Sequence, residues 1–149
     1  MNFLRSCVHA LWMLVTVVPY GIAIVVAAPF ASPLRLYGIA QDWLRQTMVG
    51  LRVICGVRWE VHGRENLPVG ATSPAILLVK HQSTLETFLM PLLMPHPLAY
   101  VFKKELLYIP FFGWAIGRLD MVHIDRSRRA QALTRWWSRA SACWRRASG

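Results

Sequence analysis

From Ser6 to Leu34 the chain carries no Asp, Glu, Lys or Arg, and an uncharged apolar stretch of that length restricts where the segment can sit. Val8 to Ala31 is apolar enough and long enough to cross a hydrocarbon layer of roughly 30 Å. A cleavable signal peptide has a shorter apolar core, about 7 to 15 residues, so the segment is read as a membrane anchor. Pro19 and Gly21 in its middle predict a kink, or a hairpin of two short half-inserted helices. Arg35, Arg45, Arg52 and Arg58 trail the anchor, against Arg5 and the N-terminus before it, which places the remainder on the cytoplasmic side of an inner membrane. At 55% hydrophobic residues and a mean hydropathy of +0.36, the 149-residue chain is too apolar for an ordinary soluble domain. Cys7, Cys55 and Cys143 have no paired spacing and no metal motif, as suits thiols in a reducing compartment or in lipid.

Beyond the anchor, strand and helix patterns alternate. Gln41 to Cys55 is amphipathic, with Trp43, Leu44, Met48, Leu51 and Ile54 on the apolar side, and predicts a helix on the membrane surface or capping the domain. Val57 to His62 alternates strictly, as a half-buried strand does, and Gly63 ends it. Ala75 to Val79 is continuously apolar, the pattern of a strand buried on both faces. A helix follows, with Ser83 or Thr84 as N-cap, Glu86 in its first turn and Phe88, Leu89, Leu92 and Leu93 as its apolar stripe. Pro91, Pro95 and Pro97 break the pattern before strand-like runs at Leu98–Phe102 and Met121–Asp125. Four strand candidates with helical connections predict an α/β domain, helices packed on a mixed or parallel sheet.

The chemistry concentrates at one turn. His81 follows a strand and Glu86 lies five positions on, an H-x4-E spacing that sets an imidazole beside a carboxylate at the carboxyl end of a strand, where open α/β sheets build their sites. A histidine so placed is a general base, and the carboxylate fixes its tautomer and stabilises the imidazolium. His62, His96 and His123 have no mutual metal spacing. Tyr108, Phe111, Phe112 and Trp114 are read as core or membrane contact, and only secondarily as an acyl groove.

The blocks KHQSTLETFLMP and FKKELLYIPFFGWAIGRLDMVHIDR resemble, in order and spacing, the first two motif blocks of the 1-acyl-sn-glycerol-3-phosphate acyltransferases. The likeness runs from Val57 to about Ser127. It implies a glycerol-3-phosphate acyltransferase-like sheet with flanking helices, and transfer of a fatty acyl group from acyl-CoA or acyl carrier protein to the 2-hydroxyl of lysophosphatidic acid. His81 and Glu86 match the catalytic pair, with Glu where the family usually has Asp. Lys104, Glu105 and Arg126 match the substrate-binding elements, and cations there suit a phosphomonoester. The donor is a substrate, so no cofactor is implied. Expected partners are membrane phospholipids, lysophosphatidic acid and the donor, and no nucleic acid.

The domain organisation expected is an anchor over residues 1–35, the N-terminal part of an acyltransferase domain over 36–127 and a basic tail over 128–149. From Arg126 onward there are seven arginines and no acid, which supplies seven of the ten net positive charges, and three of the seven tryptophans lie there. That stretch has no amphipathic pattern and is read as translated out of frame, a hypothesis that sequencing the gene tests. A third family block of the F-P-E-G-T-R type is absent, so the sheet is expected to be incomplete at its C-terminal end and the chain weakly active or inactive. The rival reading is a non-catalytic membrane-bound remnant or a basic lipid-surface protein.

Overall fold

The computed structural model describes residues 2–67, 76–80, 82–119 and 121–124. Its largest feature is a pair of long helices, α1 (Asn2–Ala27) and α2 (Pro33–Cys55). Helix α1 runs unbroken through Pro19, so the hairpin expected at Pro19 and Gly21 forms later, in the turn at Ala28–Ser32. One proline removes a single hydrogen bond from a helix, and the packing of α2 along its length offsets that loss. Pro33 opens α2, where a missing N–H costs nothing, and Gly56 closes it with a φ of 70° and its N–H on the Arg52 carbonyl.

The two helices pack antiparallel, and polar contacts fix their register. The Cys55 thiol reaches the Arg5 carbonyl, His9 Nε2 pairs with the Thr47 carbonyl at 3.1 Å, and Trp43 Nε1 donates to Thr16 Oγ1 at 3.2 Å. Their outward faces differ sharply. Leu4, Val8, Leu11, Val15, Ile22 and Val26 form an uncovered apolar stripe on α1, whereas α2 turns Arg35, Asp42, Arg45 and Arg52 outward among the exposed Leu34, Val49 and Val53, with Asp42 and Arg45 paired at 2.9 Å. The pair is thus amphipathic as a unit, rather than a lone anchor followed by a separate surface helix.

The remaining elements sit on the turn end of this pair. Beyond a short 3-10 turn at Arg64–Asn66, they are α3 (Leu85–Leu93), β1 (Val101–Lys103), a 3-10 turn (Lys104–Tyr108), α4 (Phe112–Ile116) and β2 (Val122–Ile124). Ile24, Leu36 and Ala115 form the buried centre, closed by Ala27, Ala31, Ile39 and Leu119. Trp43 is the hub. It is buried, its ring meets Phe88 of α3 and Phe112 of α4 at 6.0 and 6.2 Å, and its N–H binds α1. Helix α4 also lies directly on α1, because Gly21 leaves room for the Phe111 carbonyl: a Cβ there would stand 2.8 Å from that oxygen.

The two strands pair in parallel, Phe102 opposite His123, so both chain ends leave the same edge of the sheet. The architecture is mixed and helix-rich, with a small parallel sheet and an N-terminal apolar helix. Two expected strands are absent among the described residues. Val57 to His62 keeps its alternation, with Arg58, Glu60 and His62 exposed and Trp59 and Val61 partly covered, yet pairs with no neighbour. Ile76 to Val79 forms no strand and is exposed, Leu78 by 95%, where burial on both faces was expected. A continuous apolar run becomes a central strand only between partner strands and covering layers, and the two-stranded sheet supplies neither to this segment. The basic tail lies outside the described residues.

Candidate functional site

Helix α3 begins where the sequence places it, and its first turn is organised by Glu86. Oε2 accepts hydrogen bonds from the Ser83 amide at 2.9 Å and from the Ser83 hydroxyl at 3.0 Å, while Ser83 Oγ accepts from the Leu85 amide at 3.1 Å. This is a capping box, S-x-x-E, in which serine and glutamate satisfy each other's end of the helix. Its signal stands in the sequence as Ser83 and Glu86, and assigning the carboxylate wholly to the histidine overlooks it. Thr84, the other expected cap, makes no side-chain cap bond.

Residual desolvation pushes the Glu86 carboxyl upward. Hydrogen bonds from its own amide, from the Ser83 hydroxyl and amide, and from the Gln82 amide outweigh that and hold it below the ordinary carboxylate value. It is therefore ionised at neutral pH. A carboxylate has two oxygens and about four lone-pair directions, so capping through Oε2 leaves capacity for a histidine N–H. His81 itself lies outside the described residues, as does Arg126. Lys104 opens the 3-10 turn directly after β1 and is half-buried, and Glu105 beside it is exposed. Strand β2 ends at Ile124, two residues before Arg126, at the same sheet edge from which Lys104 departs. No group of three or more metal-ligating side chains occurs among the described residues.

Residues outside the expected set brace α3. Gln41 Nε2 donates to the Pro91 carbonyl at 2.7 Å, and the Tyr100 hydroxyl donates to the Thr87 carbonyl at 3.2 Å. The Leu98 amide donates to the Tyr37 hydroxyl at 3.0 Å. Burial, with the neighbouring Tyr37, pushes the Tyr100 phenol up to about 12, so it stays a donor throughout the physiological range. Burial likewise raises Tyr37, partly offset by the Leu98 amide.

A family model described as "Acyltransferase" matches residues 58–140, more than half of the chain. The chain belongs to the acyltransferase family. The match takes in all five candidate residues and continues past Ser127 into the basic stretch. A 1-acyl-sn-glycerol-3-phosphate acyltransferase of Pseudomonas aeruginosa is 42% identical over 115 residues, covering 77% of this chain and 42% of the relative. Any 115-residue stretch of a 149-residue chain includes positions 35–115, hence His81, Glu86, Lys104 and Glu105. The enzyme of the same name from Saccharomyces cerevisiae is 35% identical over 83 residues, 56% of this chain and 26% of its own. A 1-acyl-sn-glycerol-3-phosphate acyltransferase alpha of Mus musculus is 30% identical over 91 residues, 61% and 31% of the two chains. The chain thus spans less than half the length of these relatives, and no solved structure matches it.

Proposed function

We propose that this protein is a 1-acyl-sn-glycerol-3-phosphate acyltransferase, which moves a fatty acyl group from acyl-CoA or acyl carrier protein to the 2-hydroxyl of lysophosphatidic acid to give phosphatidic acid. The observation that carries the reading is the 42% identity to a relative of that name over a stretch that includes His81 and Glu86. The chemistry agrees with it. A glycerol hydroxyl is a poor nucleophile at neutral pH, so a neutral imidazole at His81 takes its proton as the oxygen attacks the thioester carbonyl. The tetrahedral adduct collapses, the C–S bond breaks, and the His81 proton passes to the departing thiolate. Glu86, already ionised, accepts from the other ring nitrogen and stabilises the imidazolium.

No acyl-enzyme forms on this route, so thiol release requires the acceptor. Lys104 and Arg126 supply positive charge toward the acceptor's phosphate, with Glu105 as a positioning neighbour. The helix pair holds the protein at the bilayer. Helix α1 is long and apolar enough to cross one by length and composition, but α2 beside it would carry Asp42 and Arg45 to the same depth. The asymmetric faces favour a pair that half-inserts, α1 in the acyl region and α2 toward water, and the arginines that trail α1 support a domain on the cytoplasmic side. An assay of free thiol from acyl-CoA, with and without lysophosphatidic acid, tests the chemical route. Release only with acceptor, matched by phosphatidic acid, is expected; equal release without it contradicts direct transfer, and lipid binding with no release at all favours a non-catalytic membrane protein.

A further inference from the structure

Helix α3, which carries Glu86, contains a proline in its body and is followed by another. Pro91 has no N–H to give the Thr87 carbonyl four residues back, and Pro95 has none to give the Pro91 carbonyl. Both orphaned carbonyls are recaptured by side chains from elsewhere. The Tyr100 hydroxyl donates to Thr87 O at 3.2 Å, and Gln41 Nε2 donates to Pro91 O at 2.7 Å. The Tyr100 hydroxyl replaces the N–H that Pro91 removes, and Gln41 caps a carbonyl of the last helical turn, which Pro95 beyond the helix end cannot reach with an N–H. The two come from different places: Tyr100 immediately precedes β1, and Gln41 lies in α2 of the N-terminal helix pair.

A nine-residue helix is marginal alone, and α3 gets its orientation from what holds it. Its outer end is set by the Ser83 and Glu86 capping box, which is local and places nothing relative to the rest of the molecule. Its inner end is set by Pro91, which is buried, by the two recaptured carbonyls and by Phe88 against the Trp43 ring. Thr87 is next in sequence to Glu86, so the Tyr100 bond acts one residue from the carboxylate.

We propose that Gln41 and Tyr100 are positioning residues for Glu86, so that the helix pair is part of the acyl-transfer site as well as its membrane attachment. The proposal rests on the reading of His81 and Glu86 as the base and its orienting acid. It explains why the hairpin's turn end, rather than a flexible linker, meets the domain. The phenol of Tyr100, shifted to about 12, remains a hydrogen-bond donor across any working pH.

The test reads the His81 imidazole by 15N-edited NMR of the full chain in detergent micelles, its signal among the five histidines assigned by loss in His81→Ala. Glu86→Gln is expected to lower the His81 pKa by about one unit or more, since a carboxylate within hydrogen-bond reach favours the imidazolium by that much. Gln41→Met and Tyr100→Phe keep the side-chain shape and remove only the donor. Each is expected to reproduce a substantial part of the Glu86→Gln shift, with helical content unchanged, and any activity lost should be lost in kcat with KM nearly constant. If Glu86→Gln moves His81 and neither donor variant does, the positioning role is overturned and the catalytic pair stands. If Glu86→Gln leaves His81 unmoved, the pair itself is wrong and the proposal falls with it. Should Gln41→Met fail to fold, Tyr100→Phe alone decides, because it touches α3 one residue from Glu86.

Discussion

Glu86 has two tasks, and they can be separated by substitution. Ser83→Ala removes the capping hydroxyl and is expected to cost α3 about 1 kcal/mol, seen as faster amide exchange over Phe88–Met90. Glu86→Gln keeps an acceptor for the Ser83 amide, as glutamine does in other capping boxes, so it should leave α3 formed. It removes the charge that stabilises an imidazolium, and the rate should fall by up to about 10⁴, the effect of the corresponding change in a serine-protease triad. The pH dependence has a definite sign. Because the folded-state pKa of Glu86 is depressed, its contribution to α3 is present above the ordinary carboxylate value and lost as pH falls through the depressed one. Protection of the α3 amides should therefore begin to weaken as pH falls below the ordinary carboxylate value and be lost below the depressed one; loss that begins at higher pH would assign the first turn to another group. The H-x4-E spacing was legible because it is local, and so was the capping box, which uses four consecutive residues.

At the scale of elements, the contacts that matter join segments far apart in sequence. Trp43 touches α1, α3 and α4, and Trp43→Ala should destabilise the protein by about 3 to 5 kcal/mol, while Trp43→Phe, which loses the bond to Thr16 but keeps most of the ring, should cost much less. Gly21→Ala should be destabilising although alanine favours helix by about 1 kcal/mol, because its Cβ would meet the Phe111 carbonyl and push α4 from α1. Thermal unfolding in detergent checks both, and a stabilised Gly21→Ala would place α4 elsewhere. Helical amphipathicity predicted α2 over most of its length, and the short parallel strands fell inside Leu98–Phe102 and Met121–Asp125 to within a residue. Val57–His62 and Ala75–Val79 carry equally good strand patterns, yet Val57–His62 and Ile76–Val79 form no ladder among the described residues, since a strand depends on a partner that its own sequence does not specify. Pro19 with Gly21 read as a break for a similar reason: the glycine serves a close approach by a segment ninety residues away, which no local pattern records.

For the whole molecule, the contrast between the faces of α1 and α2 determines how the protein meets a membrane. Leu11→Glu or Val15→Glu, on the uncovered stripe of α1, should each weaken vesicle binding by about tenfold, the loss of roughly one buried aliphatic side chain. Arg45→Gln on α2 should change it little. Flotation with vesicles of defined composition measures this, and equal effects on the two faces would contradict a half-inserted pair. The uncharged N-terminal stretch predicted attachment to lipid, but not that α2 and α4 pack along it, with α3 on α2, and make it part of the domain. The chemistry proposed for the molecule passes through His81. The most direct measurement is the initial rate of phosphatidic acid formation from acyl-CoA and lysophosphatidic acid by the purified chain and its His81→Ala variant, with vesicle binding recorded for both. The expected result is slow product formation by the wild type and none above background from the variant, with equal binding; product formed equally by both would contradict it.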